Sequence, residues 1–464
     1  MSKLIAVSNR VADMNSAAQS GGLAVGLSDA LADRGGVWFG WDGNVVKQGT
    51  RVAPAVHSAN GVTTVTLPMT GKDYDEFYAG FSNSVLWPVF HYRLDLARFE
   101  TSFLKGYQRV NSKFADALAP FIEADDLIWV HDYHLIPLAS ELRKRDYRQR
   151  IGFFLHIPFP PLDILAAAPR HEWLMRCLLD YDVIGFQTHA DLMNFRHYVE
   201  DKMGGKWHED GTIVANGRSL IAWNFPIGIN VESMREMART PEAEDQIALL
   251  NRRLTARTHI IGVERLDYTK GLPSRFRAFA RLLEKYPENM KQLSFMQIAA
   301  PSREQVEAYA EIKAELESLS GAINGAFGDF DWTPVRYINR PVPRPILAAL
   351  FRGSQVGFVT PLRDGMNLVA KEYVAAQDDD DPGVLILSKF AGAAEQLTEA
   401  LIVNPYDIDE MAESLQQAIR MPLEERRQRQ SALLARIRQF DARNWQQQFL
   451  RALSGESFTG GPRI

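Results

Sequence analysis

VGFVTPLRDGMNLVAKEYVAAQ, residues 356–377, passes from a strand into a helix through one short turn. VGFVT (356–360) has the β-branched and aromatic residues of a strand. Asp364–Gly365 make the turn, and a helical stretch follows.

The same strand-then-helix pattern recurs outward in both directions. Towards the N-terminus lie KLIAVSN (3–9), DLIWVH (126–131), RIGFFLH (150–156), DVIGFQ (182–187), LIAWN (220–224), HIIGV (259–263), QLSFMQI (292–298) and VRYIN (335–339). VLILS (384–388) and ALIVN (400–404) follow it. Several are apolar at consecutive positions, as in parallel strands buried on both faces. Alternation that occurs twice predicts an α/β fold of two Rossmann-like doubly wound domains, facing across a deep cleft at the carboxyl ends of both sheets.

The junction is expected at FPIGIN (225–230), where Pro226 and Gly228 interrupt the pattern. This divides the chain into domains 1–227 and 228–440, with a helical segment 441–464 packing back on the first domain. A helix is expected over 302–320: Ser302 and Gln305 form a capping box, and Val306, Tyr309, Ile312, Leu316 and Leu319 recur at helical spacing.

Composition narrows the function classes. At 464 residues, 46% hydrophobic and 23% charged, the chain reads as a folded globular protein too long for one core. A net charge of −5 favours neither nucleic acid nor an anionic membrane, so any phosphate must be held by local basic groups. No apolar run reaches the roughly 18 residues of a membrane span, and MSKLIAVSNR is too short for a signal peptide. The single cysteine, Cys177, excludes a disulfide framework. A cytoplasmic protein is expected.

Four segments carry chemistry. In 360–377, amides around Asn367, Leu368 and Val369 would leave the helix N-terminus, where an anion is welcome, and Glu372 lies one turn in. A plain strand–helix joint accounts for the same residues. GVERLDYTKGL (262–272) places Arg265 and Lys270 at a strand end; a planar fork beside a point charge suits a diphosphate, and a solvated surface pair is the alternative. SNR (8–10) puts Arg10 after the first strand, and Gly21 and Gly22 of GGLAVGL would let backbone approach a ligand. WVHDYH (129–134) and FFLHIPFP (153–160) place Asp132 and His156 at strand ends. His131 and His134 are separated by a turn, so no metal site is expected. The D-x-D strings at Asp73, Asp180, Asp329 and Asp407 are too many to signal a metal motif, and Asp378–Asp381 is expected to face solvent.

SNR, GGLAVGL, WFGW, FSNSVLWP, HYR, WVHDYHL, GFFLHIPFP, GFQT, PIGI, VERLDYTKGL, RDGMNLVAKEYVA and VNPYD, in this order over nearly the whole chain, resemble the trehalose-6-phosphate synthases. These are retaining glycosyltransferases of GT-B architecture that use UDP-glucose and glucose 6-phosphate. The resemblance implies an acceptor-binding first domain and a nucleotide-sugar-binding second domain. It implies donor contacts from Gly21, Gly22, Arg265, Lys270, Val342, Asp364, Asn367, Leu368, Val369 and Glu372. For glucose 6-phosphate it implies Arg10, Trp41, Tyr78, Trp87, Asp132 and Arg303, with Asp364, Arg265, Lys270, His156 and Asp132 as the catalytic set. It implies no cofactor, no metal and a homo-oligomer, dimer or tetramer. Retention would ordinarily call for a carboxylate nucleophile, and none announces itself; the resemblance implies front-face attack instead. The alternatives are a glucosylglycerol-phosphate synthase, which takes glycerol 3-phosphate, and a catalytically silent sugar-phosphate sensor.

Overall fold

The computed structural model describes residues 3–11, 27, 31, 35–50, 52–59, 61–253, 258–303 and 307–456. They form two compact units: one of the described residues up to Ile227 together with residues 443–456, and one of the described residues within Gly228–Ala442.

Among the described residues the first unit has a ten-stranded sheet. Its strands are β1 (Leu4–Arg10), β2 (Gly36–Val46), β3 (Ala55–Ala59), β4 (Val62–Thr70), β5 (Leu127–His131), β6 (Arg150–Phe154), β7 (Val183–Phe186), β8 (Lys206–Trp207), β9 (Thr212–Ala215) and β10 (Arg218–Asn224). The order is β3-β4-β2-β1-β5-β6-β7-β10-β9-β8. β4 through β10 of that order pair in parallel, and antiparallel β3 and β9–β8 finish the two edges. The sequence pattern finds β1, β5, β6 and β7, which are apolar and largely buried, and β10, which buries Leu220 and Ala222. It passes over the others: β2 carries Asp42, Gly43 and Asn44 in mid-strand, where its register shifts, and β3 is exposed at every position.

The chain from Arg443 belongs to this unit through the Ala442–Ser454 helix, which buries Trp445, Phe449, Leu450 and Leu453. The Phe449 ring stacks on Trp129 of β5 at 4.7 Å. Glycines make the room: a Cβ at Gly152 of β6 would sit 2.7 Å from the Phe449 ring, and one at Gly185 of β7 would sit 2.9 Å from it.

The second sheet is all parallel: β11 (Thr258–Arg265), β12 (Leu293–Ala300), β13 (Val335–Ile338), β14 (Val356–Val359), β15 (Val384–Ser388) and β16 (Leu401–Val403). Its order, β13-β12-β11-β14-β15-β16, is the dinucleotide-fold order with its reversal between β11 and β14. All six strands coincide with the sequence-based expectation.

One expectation needs correction. The described helix after β12 is Glu307–Phe327, continuing past Ser320 through Gly321 and Gly325. Burial of Ile323 outweighs the roughly 1 kcal/mol that each glycine costs a helix. The expected partner of Ser302 in a capping box, Gln305, lies outside the described residues. The acidic run faces solvent as expected at Asp379, Asp380 and Asp381, which are exposed, while Asp378 is half-buried; Asp378 pairs with Arg352 at 2.9 Å, Asp379 with Arg235 at 2.7 Å and Asp381 with Arg426 at 2.6 Å. These arginines offset carboxylates placed unfavourably at a helix C-terminus.

Candidate active site

In the second unit, the residues singled out in the sequence converge on the reversal between β11 and β14, where open α/β sheets bind ligands. Arg265 ends β11 and is exposed; Lys270 closes the turn Tyr268–Lys270 and is buried. The loop after β14 brings Asp364 against Lys270, and ammonium and carboxylate form an ion pair. Burial opposes the Lys270 charge, but Asp364 and Glu264 more than offset it and hold the lysine above its usual value.

Asn367 then caps the Leu368–Ala376 helix in a left-handed conformation, φ 72°. Its side-chain carbonyl accepts the Ala370 amide at 3.1 Å, while its Nδ2 donates to Asp364 at 3.1 Å and to Glu264 at 3.2 Å. The amides of Leu368 and Val369, at the first two helical positions, have no acceptor within the helix. A helix end of this kind favours an anion.

Glu264 and Arg275 were not anticipated. Glu264 is buried, which raises its carboxyl pKa against the pull of Lys270 and Arg275. Arg275 is fully buried and braces three elements, donating to Gln297 at 3.0 Å, Thr360 at 3.2 Å and the Lys270 carbonyl at 3.4 Å. Burial pushes its guanidinium down to about 10, with Glu264 opposing. A signal existed: Arg275 falls on the apolar stripe Leu272, Phe276, Phe279, Leu283 of its helix.

The remaining second-unit residues are placed as follows. Glu372 is half-buried and pairs with Arg344 at 3.2 Å; burial raises its carboxyl while Arg344 opposes. Val342 is half-buried between β13 and the Arg344–Arg352 helix. Arg303 has φ 49° and lies outside the described helix; it donates to Tyr309 at 2.8 Å and to buried Asp267 at 3.4 Å. Burial would raise the Asp267 carboxyl, but Arg303, Arg265 and Lys270 hold it below the usual range.

The first unit has the matching arrangement at the reversal between β1 and β5. The Arg10 guanidinium lies 5.8 Å from the Trp41 ring, Trp41 5.5 Å from Tyr78, Tyr78 5.9 Å from His134, and Tyr133 5.7 Å from Trp87. Asp132, at φ 76°, accepts the His156 amide at 3.2 Å. With Tyr133 and His134 3.9 Å apart, four of the six expected acceptor residues, Arg10, Trp41, Tyr78 and Trp87, lie on one chain of ring contacts; Asp132 contacts His156, and Arg303 belongs to the other unit. Tyr78 rides on a π-helical segment, Tyr74–Leu86, that the sequence did not reveal. Asn83 ties it down, donating to the Tyr78 carbonyl at 2.9 Å and accepting from the Tyr133 hydroxyl at 2.8 Å. Gly21 and Gly22 lie outside the described residues.

Among the described residues no three or more His, Cys, Asp or Glu side chains group to hold a metal ion. The D-x-D aspartates have structural partners: Asp73 pairs with Arg109 at 2.8 Å, Asp182 with Arg143 at 2.8 Å and Asp329 with Lys291, and Asp407 caps a helix. No described helix is long and apolar enough to cross a membrane.

The sequence model of Glycosyltransferase family 20 matches residues 3–455. The chain belongs to glycosyltransferase family 20. Within the family it is 49% identical over 455 residues to a trehalose-6-phosphate synthase of Enterobacter sp., covering 98% of this chain and 95% of that one. An α,α-trehalose-phosphate synthase (UDP-forming) of Burkholderia xenovorans, solved with glucose 6-phosphate, superposes with a TM-score of 0.94 at 48% identity, covering 98% of this chain and all, 100%, of that one. An E. coli structure bound with UDP-2-fluoro glucose gives 0.94 at 46% identity, with 98% and 100% covered. The fold is the two-unit α/β GT-B architecture of those family 20 structures.

Proposed function

We infer that this chain transfers glucose from UDP-glucose to the anomeric hydroxyl of glucose 6-phosphate, giving α,α-trehalose 6-phosphate and UDP, the first step of trehalose biosynthesis. The observation that carries this reading is the second-unit constellation, in which Lys270, Asp364, Asn367 and the Leu368–Ala376 helix N-terminus meet at one sheet reversal.

The leaving diphosphate lies against Arg265, Lys270 and the amides of Leu368 and Val369. These groups stabilise the charge that develops as the glycosidic bond breaks, and they do so without a metal ion. Glu372 holds the ribose, and backbone near Val342 faces the base. As the diphosphate engages Lys270, the Asp364 carboxylate is released towards the glucose hydroxyls, and His156 adds a contact to the same sugar. Arg10, Trp41, Tyr78, Trp87, Asp132 and Arg303 serve glucose 6-phosphate. The acceptor hydroxyl attacks from the face the diphosphate leaves, passing its proton to the departing phosphate, so the protein contributes alignment and charge more than a basic side chain.

The test is incubation with glucose 6-phosphate and UDP-, GDP- or ADP-glucose, with the product identified. Trehalose 6-phosphate from UDP-glucose is expected. Failure with every donor, alongside turnover of glycerol 3-phosphate, would overturn the reading.

A further inference from the structure

His131 closes β5 and is fully buried, with its Nδ1 3.1 Å from Nε2 of His156. The contact joins two imidazoles at adjacent strand ends, and one of them must donate while the other accepts. Burial depresses both rings, His156 to about 3 and His131 well below its usual value. Each is therefore neutral at neutral pH and carries a single N–H.

The surroundings decide which ring donates. Nε2 of His131 has no hydrogen-bond partner among the described residues. Its ring packs 4.5 Å from Trp129 and 6.3 Å from Trp445 of the carboxyl-terminal helix. The indole Nε1 atoms of both tryptophans are buried without a partner as well, and an indole nitrogen is only ever a donor. An N–H on His131 Nε2 would thus be an orphaned donor among donors, which folded proteins avoid more strictly than a bare acceptor. The proton belongs on His131 Nδ1, where it meets His156. His156 Nε2 is then the acceptor, and the single proton of His156 sits on Nδ1.

We propose that His131 is a positioning residue that locks His156 in its Nδ1–H tautomer, making Nδ1 an obligate hydrogen-bond donor to an oxygen of the donor sugar. The sugar end of the inference rests on the contact between His156 and glucose stated above; the tautomer does not. Nδ1 of His156 is free for the purpose, since its ring's hydrogen bond within the described residues is the one to His131.

The experiment uses the full chain labelled with 15N-histidine, with long-range proton–nitrogen spectra assigned through His131→Gln and His131→Leu. Wild type is expected to show His156 protonated at Nδ1. His131→Gln, which keeps an N–H donor, should retain that tautomer and stay within about threefold of wild-type kcat/KM for UDP-glucose, whereas His131→Leu should lose the tautomer and about tenfold in kcat/KM. An Nε2–H signal for His156 in wild type would overturn the inference whatever the kinetics. A tautomer that shifts in His131→Leu with unchanged donor kinetics would instead remove the sugar contact, and with it the catalytic half of the proposal.

Discussion

Asn367 donates its side-chain amide to Glu264 across 3.2 Å, joining the last turn of β11 to the helix that follows β14. The same nitrogen holds Asp364 at 3.1 Å, so Glu264 acts on the Asp364 carboxylate and on the helix N-terminus through one residue. A left-handed asparagine at a functional loop is strained and persists only where its neighbours insist on it.

Glu264→Leu should therefore cost on the order of 1–3 kcal/mol of transition-state stabilisation, roughly 10- to 100-fold in kcat/KM for UDP-glucose, because Asn367 loses an acceptor in a buried site. Glu264→Gln keeps an acceptor oxygen and should lose less. Steady-state kinetics on both variants check this; equal losses would show that charge, and not the hydrogen bond, is what matters.

Arg265 and Lys270 should separate activity from stability. Removing either side chain is expected to cost on the order of 3 kcal/mol in the barrier, about 100-fold in kcat. Arg265 is exposed, so Arg265→Met should leave the melting temperature nearly unchanged. Lys270→Met leaves Asp364 and Glu264 without their shared cation and should lower it measurably. Thermal melts beside the kinetics read both effects.

Lys371 supplies a pH signature. It is fully buried, donates to Gln396 at 2.6 Å, and burial pushes its ammonium down from 10.5 to about 7. Between those values the unfolded chain binds the proton and the folded chain does not, so stability rises with pH across the window and is lowest at its acid end. Urea midpoints at about pH 7.5 and about pH 9.5 should show a gain in wild type that shrinks in Lys371→Met. An identical gain in both would assign the slope to another group.

Asn83→Ala removes two hydrogen bonds that hold the π-helical segment under Tyr78. A stability loss of about 1–2 kcal/mol is expected. The KM for glucose 6-phosphate should rise while that for UDP-glucose stays put, because Asn83 touches only the acceptor set. A rise in both would point to general loosening of the first unit.

On the proposed roles of Arg265, Lys270 and the Leu368 and Val369 amides at the diphosphate, activity should survive exhaustive EDTA treatment. Loss on chelation with recovery on magnesium would show that these groups are insufficient.

How much of the fold is legible in the sequence follows from burial. Strands such as Val356–Val359 and Val384–Ser388 are buried at every residue and leave an unbroken apolar signature. β3 and β8 are short, exposed edge strands and leave almost none. Arg265 and Lys270 could be singled out as candidates because a charged residue at a strand end is conspicuous. Arg275 and Asn83 were not, because each works through partners on other segments.

The alternation of apolar runs and helical stretches was enough to determine an α/β chain with two Rossmann-like halves. It left open which strand ends share a reversal, since strand order depends on crossovers that no local pattern records. Only the folded sheet places Lys270 against Asp364 across 94 residues of chain. The same holds for Glu264 beside Asn367, where the contact is a buried hydrogen bond and its energy comes from excluding water at a site that exists only once both strands are in place.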